Sequence, residues 1–183
     1  MKKTLLLSTA IVLFSLIFFA GVCVAGGAVT KPLKIMWTGT AYVVGLGSPY
    51  EGCDGEIRVV NTGTGVSTLS GQCEWFSVYC GTYDKEGNFE GTGWGIVTAA
   101  NGDKGYAEIE LNLSARGEIS QTETFIGGTG RFEGMSGNTS STGTITGPGT
   151  FPYTAPVHAQ LLDYPSNWQA TSVGTYTLNP GSH

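Results

Sequence analysis

Alternation of apolar and polar side chains every second residue runs through most of the chain after residue 32. In the segment Lys104 to Leu113, small or apolar residues occupy every second position, and polar or charged residues lie between them. Such alternation is typical of a strand with one buried face and one solvated face. The same pattern, interrupted by Gly, Asn and Asp, predicts eight strands: residues 33–44, 55–61, 66–80, 89–99, 104–113, 118–126, 138–146 and 171–178.

Glycine marks the predicted turns between these strands. Asn101-Gly102 lies between two alternating segments and is the strongest hairpin signal in the chain. Asp84 to Gly87 and Arg116-Gly117 predict two further turns, and the run Asn61 to Gly65 predicts a hairpin centred near Gly63. The segment 147–167 contains four prolines and is predicted to be irregular, apart from a possible helical turn.

Hairpin connections and strands near both ends of the mature chain favour a closed sheet. The last strand is expected to pair with the first, because closure removes the unpaired edges that promote aggregation. We therefore predict an all-β fold, a single closed eight-stranded antiparallel barrel over residues 26–183. Gly91, Gly93 and Gly95 share one face of the fourth strand, which predicts close approach of a ring or of another backbone, or strong coiling of the sheet.

The first 25 residues have the features of a bacterial signal peptide. Lys2 and Lys3 precede an apolar run, and Cys23-Val24-Ala25 offers small residues for cleavage before Gly26. An uncleaved membrane anchor and lipidation of Cys23 are the second and third alternatives. Cleavage predicts an exported protein, periplasmic or extracellular, with no stable membrane insertion afterwards.

Charge argues against nucleic acid as a partner. The sequence has 14 acidic and 9 basic residues and a pI near 4.9, whereas nucleic-acid binding needs clustered Lys and Arg. Cleavage of the leader would remove two lysines and give the mature chain a net charge of −7. No cofactor motif is present. No metal site is expected, because there is no Cys-x-x-Cys and the only histidines are His158 and His183.

Three cysteines remain after the predicted cleavage, and export favours one disulfide. An extended segment between Cys73 and Cys80 would hold these two residues too far apart to be bonded. A hairpin centred near Gly63 would place Cys53 opposite Cys73. We therefore predict a Cys53–Cys73 disulfide and a free Cys80; the alternative is that all three are small buried residues.

A glycine-rich corner at 127–137 gives the chain a family resemblance. Gly127, Gly128 and Gly130, followed by Arg131 and Phe132, predict a sharp structural turn between two strands. Together with Val97 to Asp103, the stretch Phe125 to Gly137 resembles the allene oxide cyclase-like barrel group, which includes dirigent proteins. The resemblance covers roughly the C-terminal half of the mature chain. It implies an eight-stranded barrel with a largely apolar cavity, whose named members guide cyclisation or radical coupling by shaping a hydrophobic molecule. No catalytic residue of that group is matched here.

Each candidate site residue has an ordinary structural interpretation as well as a functional one. Glu108 and Glu110 lie on one face of a strand and could form a catalytic carboxylate pair inside the barrel; a solvated outer face is the favoured interpretation. Arg131 could bind a carboxylate ligand, although pairing with a nearby acidic residue is more common. A hydrolase triad using His158 is remote. Aromatic residues could line a ligand cavity or simply pack in the core; they are Trp37, Tyr42, Trp75 and Trp94.

Three functions follow from these patterns. The favoured one is an exported barrel that binds a small hydrophobic molecule in its cavity. A cyclase or isomerase acting on such a molecule, and a structural or surface-interaction barrel with a filled interior, are the alternatives. Whether the protein is an enzyme is left open, and an oligomer is possible. A cavity of about 300 Å³ or more is expected for the first two functions.

Overall fold

The protein is a closed antiparallel β-barrel. The computed structural model describes residues 27–46, 57–146 and 165–178, without the side chains of 43–46. Each strand pairs with its neighbours in the chain, and the last strand pairs with the first. This confirms the predicted all-β, eight-stranded antiparallel barrel. The strands are β1 (Val29–Leu46), β2 (Ile57–Ser67), β3 (Gly71–Tyr83), β4 (Phe89–Ala99), β5 (Lys104–Leu113), β6 (Glu118–Gly128), β7 (Ser136–Thr146) and β8 (Ser166–Leu178), with a 3-10 turn at Gly130–Phe132 between β6 and β7.

Several predictions concern residues outside the described ranges. These include the signal segment 1–25, the β1–β2 connection with Cys53, and most of the irregular segment with His158. Within the described residues, no helix has the length and apolar character needed to cross a membrane.

Tight hairpins join the strands at both ends of the barrel. Gly102 has a φ of 89° and Gly87 a φ of 87°, values that a residue with a side chain rarely adopts. Both glycines lie in turns that the sequence predicts. The connections at 68–70, 100–103 and 129–135 share one end, and those at 84–88 and 114–117 share the other.

The hairpin predicted near Gly63 is wrong. Strand β2 continues to Ser67, and Gly63 pairs with Gly39 on one side and with Trp75 on the other. A Cβ atom added to Gly63 would lie 2.8 Å from the Trp168 ring, and one added to Gly39 would lie 2.6 Å from it. These glycines therefore make room for a large ring inside the sheet rather than turning the chain.

The glycine stripe on β4 also accommodates aromatic rings, as the sequence predicts. A Cβ atom on Gly95 would lie 2.5 Å from the Trp75 ring, and one on Gly91 would lie 2.6 Å from the Phe89 ring. The glycines of β4, which have no side chains, thus leave room for large side chains in the barrel interior.

The predicted cysteine pairing is wrong because it depended on the misplaced hairpin. Cys73 is a free, buried thiol that faces Gly65, with its Sγ atom 3.6 Å from the Gly65 carbonyl oxygen. Cys80, expected to be free, is disulfide-bonded.

The predicted glycine corner closes one end of the barrel. Phe132 and Met135 lie within it and are only 1% and 2% exposed. Both side chains pack close to Gly105, where a Cβ atom would lie 3.2 Å from Met135 and 3.7 Å from Phe132. This end is therefore filled by apolar side chains, and the polar interior lies further along the barrel.

Candidate ligand-binding site in the barrel interior

Strand β6 carries a carboxylate into the barrel. Ile119, Gln121, Glu123 and Phe125 share one face of this strand, and Phe125 is 4% exposed. Side chains two residues apart point to the same side of a strand, so Glu123 points inward as the buried Phe125 does. Its side chain is also only 4% exposed.

Three hydrogen-bond donors converge on the Glu123 carboxylate. Gln121 Nε2 donates to Oε1 over 2.6 Å, and Ser141 Oγ donates to the same oxygen over 2.5 Å. Thr139 Oγ1 donates to Oε2. Burial raises the pKa of Glu123, because transfer from water disfavours the ionised form, while these hydrogen bonds act in the opposite direction. The carboxyl group can therefore hold a proton at a higher pH than an exposed glutamate.

One arm of the polar network runs from Glu123 to the indole of Trp75. The Tyr79 hydroxyl donates to Gln121 Oε1 over 2.8 Å and accepts from Ser77 Oγ over 3.0 Å. Trp75 Nε1 in turn donates to Ser77 Oγ over 2.9 Å. Tyr79 is 0% exposed, and burial raises its pKa well above the ordinary value, so its hydroxyl remains protonated.

The second arm ends at a neighbouring indole. Ser141 Oγ lies 2.5 Å from Ser172 Oγ, which accepts a hydrogen bond from Trp37 Nε1 over 3.0 Å. Since the Ser141 proton goes to Glu123, Ser172 is the donor between the two serines. The Trp37 and Trp75 rings have centroids 5.5 Å apart, so both arms start from one aromatic pair and finish at one carboxylate.

A narrow cavity of about 50 Å³ lies beside this network. Trp37, Trp75 and Trp168 line it together with Glu123, and its apolar lining extends toward the barrel end that carries the 84–88 and 114–117 hairpins. The apolar lining at that end consists of Tyr83, Phe89, Leu111, Leu113 and Ile119.

Two buried polar atoms in residues that line the cavity have no hydrogen-bond partner in the described part of the protein. They are Asn61 Oδ1, which is an acceptor, and Trp168 Nε1, which is a donor. An unpaired buried polar atom costs about 1–3 kcal/mol. The cavity therefore favours an occupant that both donates and accepts a hydrogen bond.

The structure separates the predicted site residues into inner and outer groups. Trp37 and Trp75 line the cavity, whereas Tyr42 and Trp94 are 42% and 47% exposed on the outer face. Glu108 and Glu110 are also exposed, on the outer face of β5. Arg131 Nε lies 3.1 Å from Asp103 Oδ2, so its partner is a neighbouring acidic residue. Hydrogen bonds from Asn101 and from the backbone and side chain of Arg131 lower the pKa of Asp103.

Sequence reasoning missed the two residues that define the interior. Glu123 lies in a threonine-rich strand, and Trp168 lies between the predicted irregular segment, which ends at residue 167, and the predicted last strand, which begins at residue 171. The signal for Glu123 is the parity of Ile119 and Phe125 on the same strand. The corresponding signal for Trp168 is its parity with Ser172 and Tyr176 on β8.

The chemistry available in this site is limited. Glu123 can accept, hold or return a proton, and the indoles offer apolar faces and N–H donors. Among the described residues, no group of three or more His, Cys, Asp or Glu side chains is arranged to hold a metal ion.

Comparisons with known proteins concern the fold. The barrel is similar to the solved structure of a dirigent protein described as a pterocarpan synthase, with 11% sequence identity and a TM-score of 0.46. The match covers 82% of this chain and 86% of that chain. No protein-family model and no curated protein matches the sequence. The chemistry of the barrel interior therefore follows from this chain's own residues.

Proposed function

We propose that this is an exported bacterial protein that binds a small molecule inside the barrel. The molecule has an apolar body, which contacts the indoles of Trp37, Trp75 and Trp168, and one polar group. That polar group interacts with Asn61 Oδ1 and Trp168 Nε1 beside Glu123. The observation that carries this proposal is the buried carboxylate network next to unpaired polar atoms in an aromatic cavity.

The energetic cost of this interior supports a binding role. A buried ionisable group surrounded by polar side chains is often less stable than apolar residues of similar volume. A barrel that served only as a scaffold would gain stability from an apolar interior. Buried ionisable groups with a perturbed pKa are characteristic of sites that act on a ligand.

The cavity volume limits the ligand. About 50 Å³ is far below the roughly 300 Å³ expected from the sequence for a binding or catalytic interior, so that expectation is wrong. The cavity accommodates a few non-hydrogen atoms, such as a single polar group. A larger apolar body therefore requires the lining side chains near Tyr83 and Phe89 to separate when it enters.

Two alternatives rest on specific observations. The small volume favours a barrel with a filled interior that acts through its surface. The raised pKa of Glu123 favours a cyclase or isomerase in which this carboxyl moves a proton on a bound hydrophobic molecule. The enzyme uses the same cavity as the binding protein, whereas the filled barrel does not.

Native mass spectrometry of the protein isolated from its own cell envelope tests the proposal. We expect a bound small molecule that is lost from a Glu123→Leu variant and retained by a Glu110→Leu control, because Glu110 is on the outer face. A complementary titration with N-phenyl-1-naphthylamine should quench tryptophan emission in the wild type, and the quenched emission should be smaller in Trp168→Phe, which removes one of the three indoles that line the cavity. No adduct and no quenching would favour the filled interior.

A further inference from the structure

The outer face of the barrel carries a second feature, a groove of about 880 Å³ that crosses six strands. Its volume is more than ten times that of the interior cavity. The described lining residues that face outward are Thr38, Thr40, Thr62, Thr64, Glu74, Phe76, Thr98, Thr144, Thr146, Asn167 and Gln169.

Strand register arranges these side chains in two parallel rows. In the first row, Thr38 lies between Gln169 and Thr64, and the row continues to Glu74 and Thr98. In the second row, Thr40 lies between Asn167 and Thr62, which pairs with Phe76. Neighbours across strands are about 4.8 Å apart, so the first row, which crosses six strands, covers about 24 Å along the curved outer surface, and the second row, which crosses five, covers about 19 Å. Either length is enough to contact several units of an extended polymer.

The chemistry of the groove selects for an uncharged ligand with many hydroxyl groups. Its described lining contains no Lys or Arg, and Glu74 is its one charged residue. Nucleic acids and acidic polysaccharides need cationic partners. Threonine hydroxyls and the amides of Asn167 and Gln169 both donate and accept hydrogen bonds, as sugar hydroxyls do.

An aromatic pair at the side of the groove provides an apolar contact. Phe76 is 38% exposed and Trp94 is 47% exposed, and their ring centroids are 5.6 Å apart. The C–H face of a sugar ring can pack on such a surface. A peptide partner is less suited to this groove, since protein interfaces are rich in aromatic, Met and Arg side chains rather than in threonine hydroxyls.

We propose that this groove binds a neutral polysaccharide. The hydroxyls and amides of the two rows bind sugar hydroxyls, and Phe76 packs against a sugar ring. This site lies on the outer side of the wall that encloses the interior cavity, and its binding role does not depend on the function proposed for that cavity.

Affinity electrophoresis through gels containing soluble polysaccharides tests the proposal. We expect at least one neutral polymer among hydroxyethyl cellulose, galactomannan and dextran to retard the protein in a salt-independent manner, with no retardation by alginate. Failure of all three neutral polymers to retard the protein would overturn the proposal. Retardation by alginate that salt abolishes would overturn it as well.

Matched variants locate the binding. Thr38→Val with Thr64→Val removes two hydroxyls from the groove and keeps the branched shape, and we expect about tenfold weaker binding. Thr122→Val with Thr142→Val makes the same change on exposed residues outside the groove and should leave binding unchanged. Equal binding by the two double variants would contradict the assignment. Glu123→Leu should retain polysaccharide binding, which distinguishes this site from the interior one.

Discussion

Replacing Glu123 by Gln should make the stability of the protein less sensitive to pH. The substitution keeps the size of the side chain and removes its ability to ionise. Burial raises the pKa of Glu123 above its ordinary value of 4.5. The folded state therefore holds this proton to a higher pH than the unfolded state. The stability contributed by the neutral carboxyl is complete below pH 4.5 and is lost as the pH rises through the folded-state pKa.

The size of the effect follows from two opposing terms. Each unit by which the pKa is raised costs about 1.4 kcal/mol of folding free energy once the group is ionised in both states. Gln removes this cost but rearranges the hydrogen bond to Thr139, at about 1 kcal/mol at every pH. If the pKa is raised by more than about one unit, wild type is the more stable protein near pH 4 and the variant is the more stable one near pH 8.

Urea unfolding, followed by tryptophan fluorescence with the disulfide intact, measures this crossover. The free energies of unfolding of wild type and variant are compared at about pH 4, 6 and 8, with a common dependence on urea. Glu110→Gln is the matched control, and because Glu110 is exposed its difference from wild type should stay within about 0.5 kcal/mol. A difference between Glu123→Gln and wild type that does not change with pH would refute the reasoning, since it would mean that burial does not perturb this carboxyl.

Three further predictions test the packing and the cysteines. Gly95→Ala places a Cβ atom 2.5 Å from the Trp75 ring, and it should cost about 1–3 kcal/mol of stability by thermal unfolding; an unchanged melting temperature would contradict the packing. The buried Cys73 thiol, whose pKa burial raises, should react slowly with a maleimide until urea is added, whereas Cys80 should react only after reduction; rapid reaction of Cys73 or Cys80 in the native, unreduced protein would contradict this assignment. Asp103→Asn should lower the melting temperature above pH 3.8 and converge with wild type only as the pH falls through the lowered folded-state pKa of Asp103, because the stability that this lowered pKa adds is lost on protonation; a difference independent of pH would contradict that origin.

The barrel could be predicted from the sequence because its signals are local. Alternation in Lys104 to Leu113 reproduces β5 to the residue, and Asn101-Gly102 locates the hairpin before it. A turn residue and a two-residue period each depend on only a few neighbouring positions. Closure of the sheet then follows from the need to pair strand edges.

The β2–β3 hairpin could not be predicted in the same way, because glycine serves two purposes in this chain. Gly63 lies in a Thr-Gly-Thr-Gly run that is typical of a turn, yet its role is set by Trp168, more than 100 residues away. Only a long-range contact distinguishes the two uses. The misplaced turn also shifted the β2–β3 register and produced the wrong partner for Cys73.

The interior polar network was missed for a related reason. In β6 the residues of both faces are polar around Gln121 to Thr124, so alternation carries no signal there. The direction of Glu123 depends on counting back from Phe125, whose burial is itself known only once the barrel closes. Polar residues that face each other across strands, such as Glu123 and Thr139, are recognisable as a site only when register brings them together.

The inner and outer candidate sites share the same stretch of sheet, which has a physical consequence. Trp37 points inward and Thr38 outward on β1, and Trp75 points inward with Phe76 outward on β3. At the Gly39–Gly63 pair, the Trp168 ring lies directly against the backbone beneath the groove. A ligand that moved this ring would therefore shift the backbone that carries Thr38, Thr40 and their neighbours. Coupling between two binding sites is reciprocal. If a bound polysaccharide changes the affinity of the interior for its ligand by some factor, an occupied interior must change the affinity of the groove for the polysaccharide by the same factor.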